Sequence, residues 1–341
     1  MRRAVIVSLL AACLVVLASA GREPAGRAEG QFLANGLLPP VPEPPDNPQT
    51  DAKIRLGQQL YFDKRLSFDN TISCASCHEP KYGWADPHRF SEGVGHAKGN
   101  RNAPTVLNAA YNNYQFWDGR ASSLEDQALG PIQNPVEMAM TMSMALDRLK
   151  AIPAYVSQFQ TVFGSEPTDK TVAMAIAAFE RTVVSKNSPF DKYVQGDTSA
   201  MSTAAIRGMR IFNGKGHCTA CHSGPNFSDG GFHNLGIGYK DGEFKDVGRF
   251  KVTKNPKDMG AFKTPGLRSV ALTAPYLHDG SEQTLEAVIE LYDRGGISNP
   301  NLDRLMVPLN LTEREKADLV EFLKALTGEA VAIIEPTALP E

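Results

Sequence analysis

The chain has 341 residues, 42% of them hydrophobic and 21% charged, which places it among soluble proteins with real cores and gives length for about two domains. A net charge of −3 at pH 7 excludes an electrostatic case for nucleic-acid binding. Past the first segment, nothing approaches the roughly 18 uninterrupted apolar residues that a membrane span needs.

That first segment reads as an export signal. Met1-Arg2-Arg3 is basic, Ala4 to Leu17 is apolar, and Ala18-Ser19-Ala20 is a small-residue cleavage site before Gly21. A leader over 1–20 predicts release into the periplasm. Leu10-Ala11-Ala12-Cys13 also resembles a lipoprotein box, but the apolar run continues past Cys13, which favours cleavage over anchoring. Residues 21–50 carry Pro39-Pro40, Pro42, Pro44-Pro45 and Pro48, the composition of a tether or wrapping segment without its own core.

From Asp51 the apolar spacing turns helical, first through Ile54, Leu56, Leu60 and Tyr61. Thr168-Asp169 caps a second helix through Val172, Ile176, Phe179 and Val183. Further helices are expected over Thr284 to Tyr292 and, after Thr312 with Glu315 three residues on, over Glu313 to Leu326. Strand-like alternation is scarce. Long Gly/Asn/Pro-rich loops, Gly224 to Gly242 among them, suit segments that wrap something or carry function. Met138, Met140, Met142 and Met144 alternate in a way that reads as packing.

An internal repeat is visible. Arg55-Leu56-Gly57 with Leu60-Tyr61-Phe62-Asp63 precedes one cysteine pair, and Arg207-Gly208-Met209 with Ile211-Phe212-Asn213 precedes the other. The expected class is mainly α: two cytochrome c-like helical domains over 51–190 and 191–330, joined near Pro189 to Thr198, with a tail over 331–341.

The four cysteines beyond the leader stand in Cys74-Ala75-Ser76-Cys77-His78 and Cys218-Thr219-Ala220-Cys221-His222. In an exported chain, four cysteines would ordinarily suggest disulfides. Here each pair is C-x-x-C-H, the attachment pattern of covalent haem c. Two thiols on one helical turn reach the two vinyl groups, and the next residue turns its imidazole under the iron. Zinc sites and redox dithiols share C-x-x-C but give no reason for two following histidines. His88, His96, His217, His233 and His278 remain for other roles.

Further motifs carry a resemblance. Asn102-Ala103-Pro104-Thr105, Phe116-Trp117-Asp118-Gly119-Arg120, Gly130-Pro131-Ile132, Asn134-Pro135-Val136-Glu137-Met138, Phe262-Lys263-Thr264-Pro265 and Ala274-Pro275-Tyr276-Leu277-His278-Asp279-Gly280 resemble the bacterial di-haem cytochrome c peroxidase and MauG superfamily. The likeness runs from about Asp51 to about Leu326, in the family's order.

The resemblance implies roles. The haem on His78 would meet peroxide, and the haem on His222 would store and relay electrons. Trp117 falls where the family places a tryptophan between the haems. Gln127 and Glu137 match its distal-pocket glutamine and glutamate. A base over the haem moves a proton from the inner to the outer peroxide oxygen, which a carboxylate can do. Asn102, Thr273 and Pro275 match positions that give oxygen ligands to a calcium ion, a hard cation suited to them.

Two positions divide the superfamily. Ordinary di-haem peroxidases carry a methionine on the second haem where this chain has Tyr292, the MauG-type pattern. A hard phenolate stabilises oxidised iron that a soft thioether would destabilise. Met259 and Met306 are the alternative sulfur ligands. The other position is His96: Gly95-His96 resembles the loop that parks a histidine on the resting peroxidatic haem, whereas Arg101-Asn102-Ala103-Pro104 resembles the always-open branch.

The expectation is thus an oxidoreductase that reacts with hydrogen peroxide. In the MauG-like reading it oxidises a partner protein by long-range electron transfer through a shared high-valent di-haem state. In the alternative reading it reduces peroxide to water with electrons from a small periplasmic cytochrome c or cupredoxin. A non-catalytic electron carrier would leave Glu137 without a purpose. Monomer and homodimer both suit the family.

Overall fold

A computed structural model of the chain describes residues 32–33, 36–330, 333 and 335–341. The expected leader with Cys13 lies outside them. Helices dominate, at 41% helix against 7% strand. Among the described residues no helix is long and apolar enough to cross a membrane.

The first half is built on a helix crossing. Helix α1 (Asp51–Phe62) starts at Thr50, whose hydroxyl accepts the Lys53 amide, and buries Leu56, Leu60 and Tyr61 completely. It packs across α6 (Asp169–Glu180), which opens with a capping box between Thr168 and Thr171. The backbones touch at Gly57, where a Cβ would lie 1.8 Å from the Ala175 carbonyl oxygen. Only glycine permits that approach. Between them in sequence come α2 (Cys74–Cys77), α3 (Leu124–Gln133), α4 (Met142–Lys150) and α5 (Pro153–Phe163). Met138, Met140 and Met142 are buried in this core, while Met144 is exposed.

The second half repeats the arrangement. Helix α8 (Thr203–Asn213) crosses α11 (Glu313–Ala325), and a Cβ at Gly208 would lie 1.9 Å from the Asp318 carbonyl oxygen. Phe212 and Phe322 meet edge to face at 5.1 Å between centroids beside this contact. Helix α11 carries the expected box between Thr312 and Glu315. Helix α10 (Leu285–Asp293) is capped by Thr284.

The two apolar clusters part between Val183 and Phe190. The stretch expected to join the halves, near 189–198, opens with a helix, α7 (Pro189–Val194). Ser188 and Asp191 form its capping box, Phe190 is fully buried in the second cluster, and Asp191 pairs with Arg268 at 2.9 Å in the interior. Strand β1 (Ser185–Lys186) pairs antiparallel with β6 (Glu329–Ala330), which ties the chain's far end to the junction.

The Pro-rich segment wraps both halves. Asn47 is buried and its amide nitrogen donates to Glu125 at 2.7 Å and to the Met174 carbonyl at 3.0 Å. Further along, Gly36 offers its carbonyl to the Arg268 guanidinium at 2.7 Å. The loops of the second half hold the short helix α9 (Phe250–Thr253) and strands β2 (Phe232–His233), β3 (Tyr239–Lys240), β4 (Glu243–Phe244) and β5 (Phe262–Lys263), with β2 paired to β5 and β3 to β4.

Candidate functional site

Each C-x-x-C-H motif lines its own cavity. The first, of about 700 Å³, is walled by Cys74, Cys77, His78, Trp117, Gln127, Pro131 and Glu137. The second, of about 250 Å³, is walled by Cys218, Cys221, His222, His278, Tyr292 and Met306. Asn102, Pro104 and Trp117 line both. Trp117 therefore stands between the two cavities.

Ser73 starts the first attachment turn: its amide donates to the Ser76 hydroxyl at 3.0 Å and fixes the helical turn that sets Cys74 and Cys77 together. None of Cys74, Cys77, Cys218 and Cys221 is in a disulfide. Burial pushes the Cys77 thiol up to about 11 and Cys218 to about 12, and raises Cys74 too, so these groups are neutral. The imidazoles are kept neutral likewise, since burial lowers the pKa of both His78 and His222. His222 Nδ1 lies 2.9 Å from the Phe227 carbonyl, an acceptor, so Nδ1 carries the hydrogen and Nε2 is left as a ligand. His78 Nδ1 is buried without a hydrogen-bond partner. Paired thiols, a neutral imidazole and a cavity beside them fit a covalent haem in each half.

The far wall of the first cavity carries acid-base groups. Helix α3, capped by Ser123, presents Gln127 and Pro131 to it. Glu137 follows on a turn; its Oε1 accepts from the Asn134 amide at 2.6 Å. Burial pushes its carboxyl above the usual range, against that hydrogen bond and the Arg120 charge. His96 is elsewhere. Its side chain is 90% exposed, with Nδ1 3.2 Å from Glu92, and it does not line the cavity. Its loop is locked to the glutamate's turn, because the Val94 amide donates to the Glu137 carbonyl at 2.8 Å.

Between the cavities, the Trp117 indole donates to the Asn102 carbonyl at 2.9 Å, and the Trp117 carbonyl accepts the Lys263 amide at 2.8 Å. The opposite side mirrors this, with the Asn102 amide donating to the His278 carbonyl at 2.8 Å. His278 stacks on Phe262 at 3.5 Å between centroids and meets the Trp117 ring at 6.5 Å. Burial lowers the His278 pKa to about 4. Beside Trp117, Arg101 joins the halves by ion pairs to Asp118 and Asp246, each 2.7 Å.

In the second cavity Leu285, Val288, Ile289 and Tyr292 form one stripe of α10 that faces inward. Met306 lines the same space, whereas Met259 does not. The Asn102, Thr273 and Pro275 positions also meet on this wall. The Asn102 side-chain nitrogen donates to the His88 carbonyl at 3.1 Å, which leaves Oδ1 as the acceptor end of the side chain.

Three groups here escaped sequence reasoning. Asn134 holds Glu137, a partnership signalled only by their spacing. Glu180, at the end of α6, lines the first cavity with its Oε2 buried and unpartnered. Lys263 lines the second, 9% exposed. A lone Glu or Lys ordinarily reads as a solvated charge.

The profile of the di-haem cytochrome c peroxidase family matches residues 51–199. The MauG protein of Methylorubrum extorquens is 44% identical over 298 residues, 87% of this chain and 84% of the relative. The cytochrome-c peroxidase IdrP1 of Pseudomonas sp. strain SCT is 41% identical over 333 residues, 89% of this chain and 88% of the relative. Among solved structures, a MauG-like protein associated with microbial copper homeostasis superposes with a TM-score of 0.79 at 36% identity, covering 86% of this chain and 94% of that one. The diheme peroxidase BthA of Burkholderia thailandensis shares the fold, with a TM-score of 0.72 over 90% of this chain and 92% of its own, at 21% identity.

The chain belongs to the di-haem cytochrome c peroxidase and MauG family. It is an oxidoreductase of that class, and membership brings two haem c groups with it.

Proposed function

We propose that this is an exported, periplasmic MauG-like enzyme, with haem-carrying domains over 51–190 and 191–330, that uses hydrogen peroxide to oxidise a tyrosine or tryptophan of a partner protein. The observation that carries the reading is Tyr292 on the inward stripe of α10, lining the same cavity as His222. Covalent haems held by Cys74, Cys77, His78 and by Cys218, Cys221, His222 would supply the redox chemistry toward peroxide. The protein's part is proton handling, ligation and connection. Glu137 takes the proton of the inner peroxide oxygen and returns it to the outer one, oriented by Asn134. Gln127 steadies the bound peroxide by hydrogen bonding. Pro131 brings no ligating atom, and with His96 in solvent the peroxide face stays accessible.

Tyr292 would supply a hard oxygen to an iron held by His222. Burial raises its pKa, so the phenol by itself stays protonated and would ionise only beside a positive charge such as ferric iron. Such a ligand favours the oxidised metal. With Tyr292 as ligand, a haem on His222 would be a poor electron store, and Trp117 would connect it to the first haem for sharing an oxidation. Calcium held by Asn102 Oδ1 with oxygens of Thr273 and Pro275 would stiffen the junction beside Trp117.

A second reading rests on the relatives, which include peroxidases and MauG proteins at similar identity. In it the enzyme scavenges peroxide with electrons from a small cytochrome c or cupredoxin. An optical and near-infrared spectrum of the oxidised protein, before and after one equivalent of peroxide, separates the two. Reaction without prior reduction, with a long-lived near-infrared band, supports the MauG-like chemistry. Silence until one haem is reduced supports the scavenger and sinks the first reading.

A further inference from the structure

Lys263 stands apart from the arginines around the cavities. Arg101 and Arg120 in the first are paired to carboxylates of the protein. Arg268 in the second donates to Asp191, to the Pro225 carbonyl and to the Gly36 carbonyl. The Lys263 side chain is 9% exposed on the second cavity, and no carboxylate among the described residues pairs with it. Burial lowers its pKa to about 8, and no neighbouring charge opposes the shift. Nor is the side chain free to withdraw. Its backbone is fixed twice, by pairing of β5 with β2 at Phe232 and by the amide bond to the Trp117 carbonyl.

An unpaired ammonium at such a place is costly, and a carboxylate in the cavity removes most of that cost. The haem that fits this cavity carries two propionates. We propose that Lys263 is the counter-ion of a propionate on the second haem, and that this ion pair raises that haem's reduction potential. A cation near the iron, or a propionate it neutralises, disfavours the ferric state, so both act in the same direction. Lys263 follows Phe262, and its backbone amide donates to the Trp117 carbonyl, so the pair would lie beside that tryptophan. Lys263 is thus a positioning and tuning residue that offsets part of the effect of an oxygen ligand on the same iron. The inference rests on haem attachment at Cys218 and Cys221, not on the choice between protein oxidation and scavenging.

The test uses the holoprotein with Lys263→Met, Lys263→Gln and Lys263→Arg. Haem content per chain reports attachment, and spectroelectrochemical titration reports each haem's potential separately. Lys263→Met and Lys263→Gln are expected to lower the second haem's potential, leave the first unchanged and keep both haems. Lys263→Arg should restore the wild-type value. An unchanged second potential in fully loaded Lys263→Met overturns the proposal, as does an equal shift of both haems. Failed attachment in the wild type would instead sink the cofactor reading itself. Should the variants load poorly, a crystal structure of the wild-type holoprotein decides: a propionate oxygen within about 3 Å of Lys263 Nζ supports the pair. An ammonium met only by water or a buffer anion refutes it.

Discussion

In the first half α1 crosses α6 at Gly57, and in the second α8 crosses α11 at Gly208; in each, a glycine lies against a carbonyl, that of Ala175 or that of Asp318. The helices that line the cavities correspond too. Ser123 and Thr284 cap α3 and α10 in the same way, each accepting an amide three residues on. Leu124 and Leu285 open them, and at the same register stand Pro131 and Tyr292, with Gln127 opposite Val288. One scaffold thus presents two different faces. From α3 the wider cavity receives Gln127 and Pro131; from α10 the narrower receives Leu285, Val288, Ile289 and Tyr292. Related helix packing fixes where a haem can sit, and a few positions on one helix face decide what its iron can do.

Exchanging those faces should have the largest effects. Tyr292→Met replaces a hard oxygen by a soft sulfur and should raise the second haem's potential by tenths of a volt, within the ~0.8 V that axial ligands span. Redox titration of the holoprotein checks this, and an unmoved potential would remove Tyr292 from the iron. Glu137→Gln should slow the reaction with peroxide by roughly 10²- to 10⁴-fold while leaving the second haem's potential alone. The wild-type rate should also fall on the acid side. The base form of Glu137 is the active one, and burial raises its pKa, so the loss should begin at higher pH than for an exposed glutamate. Stopped-flow rates across that range read it out.

Much of this was legible in the sequence because the signals are local. Thr168, Thr284 and Thr312 announce helix starts through side chains that reach their own backbone amides, and the structure begins helices at each. C-x-x-C-H is local as well, and its thiols and imidazoles do line cavities. What was illegible depends on long-range packing. The helix after Ser188 was not foreseen, and Phe190 packs it into the second core. His96 is near the first cavity in sequence logic, but Gly95, at φ +65°, helps turn the chain outward there. Lys263 faces inward because β5 is pinned between Phe232 and Trp117, partners distant in sequence.

The scaffold itself can be broken evenly. Gly57→Val and Gly208→Val each force a side chain into a carbonyl oxygen, and each should cost about 3 kcal/mol in denaturant unfolding of the holoprotein. A large loss at one crossing with none at the other would show that the halves are not held alike.

The smallest effect concerns a group that only the first cavity has. Burial pushes the Glu180 carboxyl up to about 8, despite the adjacent Arg181, whose guanidinium is held at 2.7 Å by Glu125. In the unfolded chain a glutamate titrates near ~4.3, so between that value and about 8 the native state holds a proton that the unfolded state lacks. This contribution is therefore fully present below the lower value and is lost as pH rises through the window. Glu180→Gln keeps the neutral shape at every pH. It should match the wild type near pH ~4 and exceed it by about 1 to 2 kcal/mol near pH ~5.5, the gap widening as pH rises further. No residue at the corresponding end of α11 would confer such a slope, since Ala325 closes that helix. Denaturant midpoints of both proteins across this range give the answer: parallel curves would mean that Glu180 is ionised in the folded protein, and that its buried oxygen has found a charge to face.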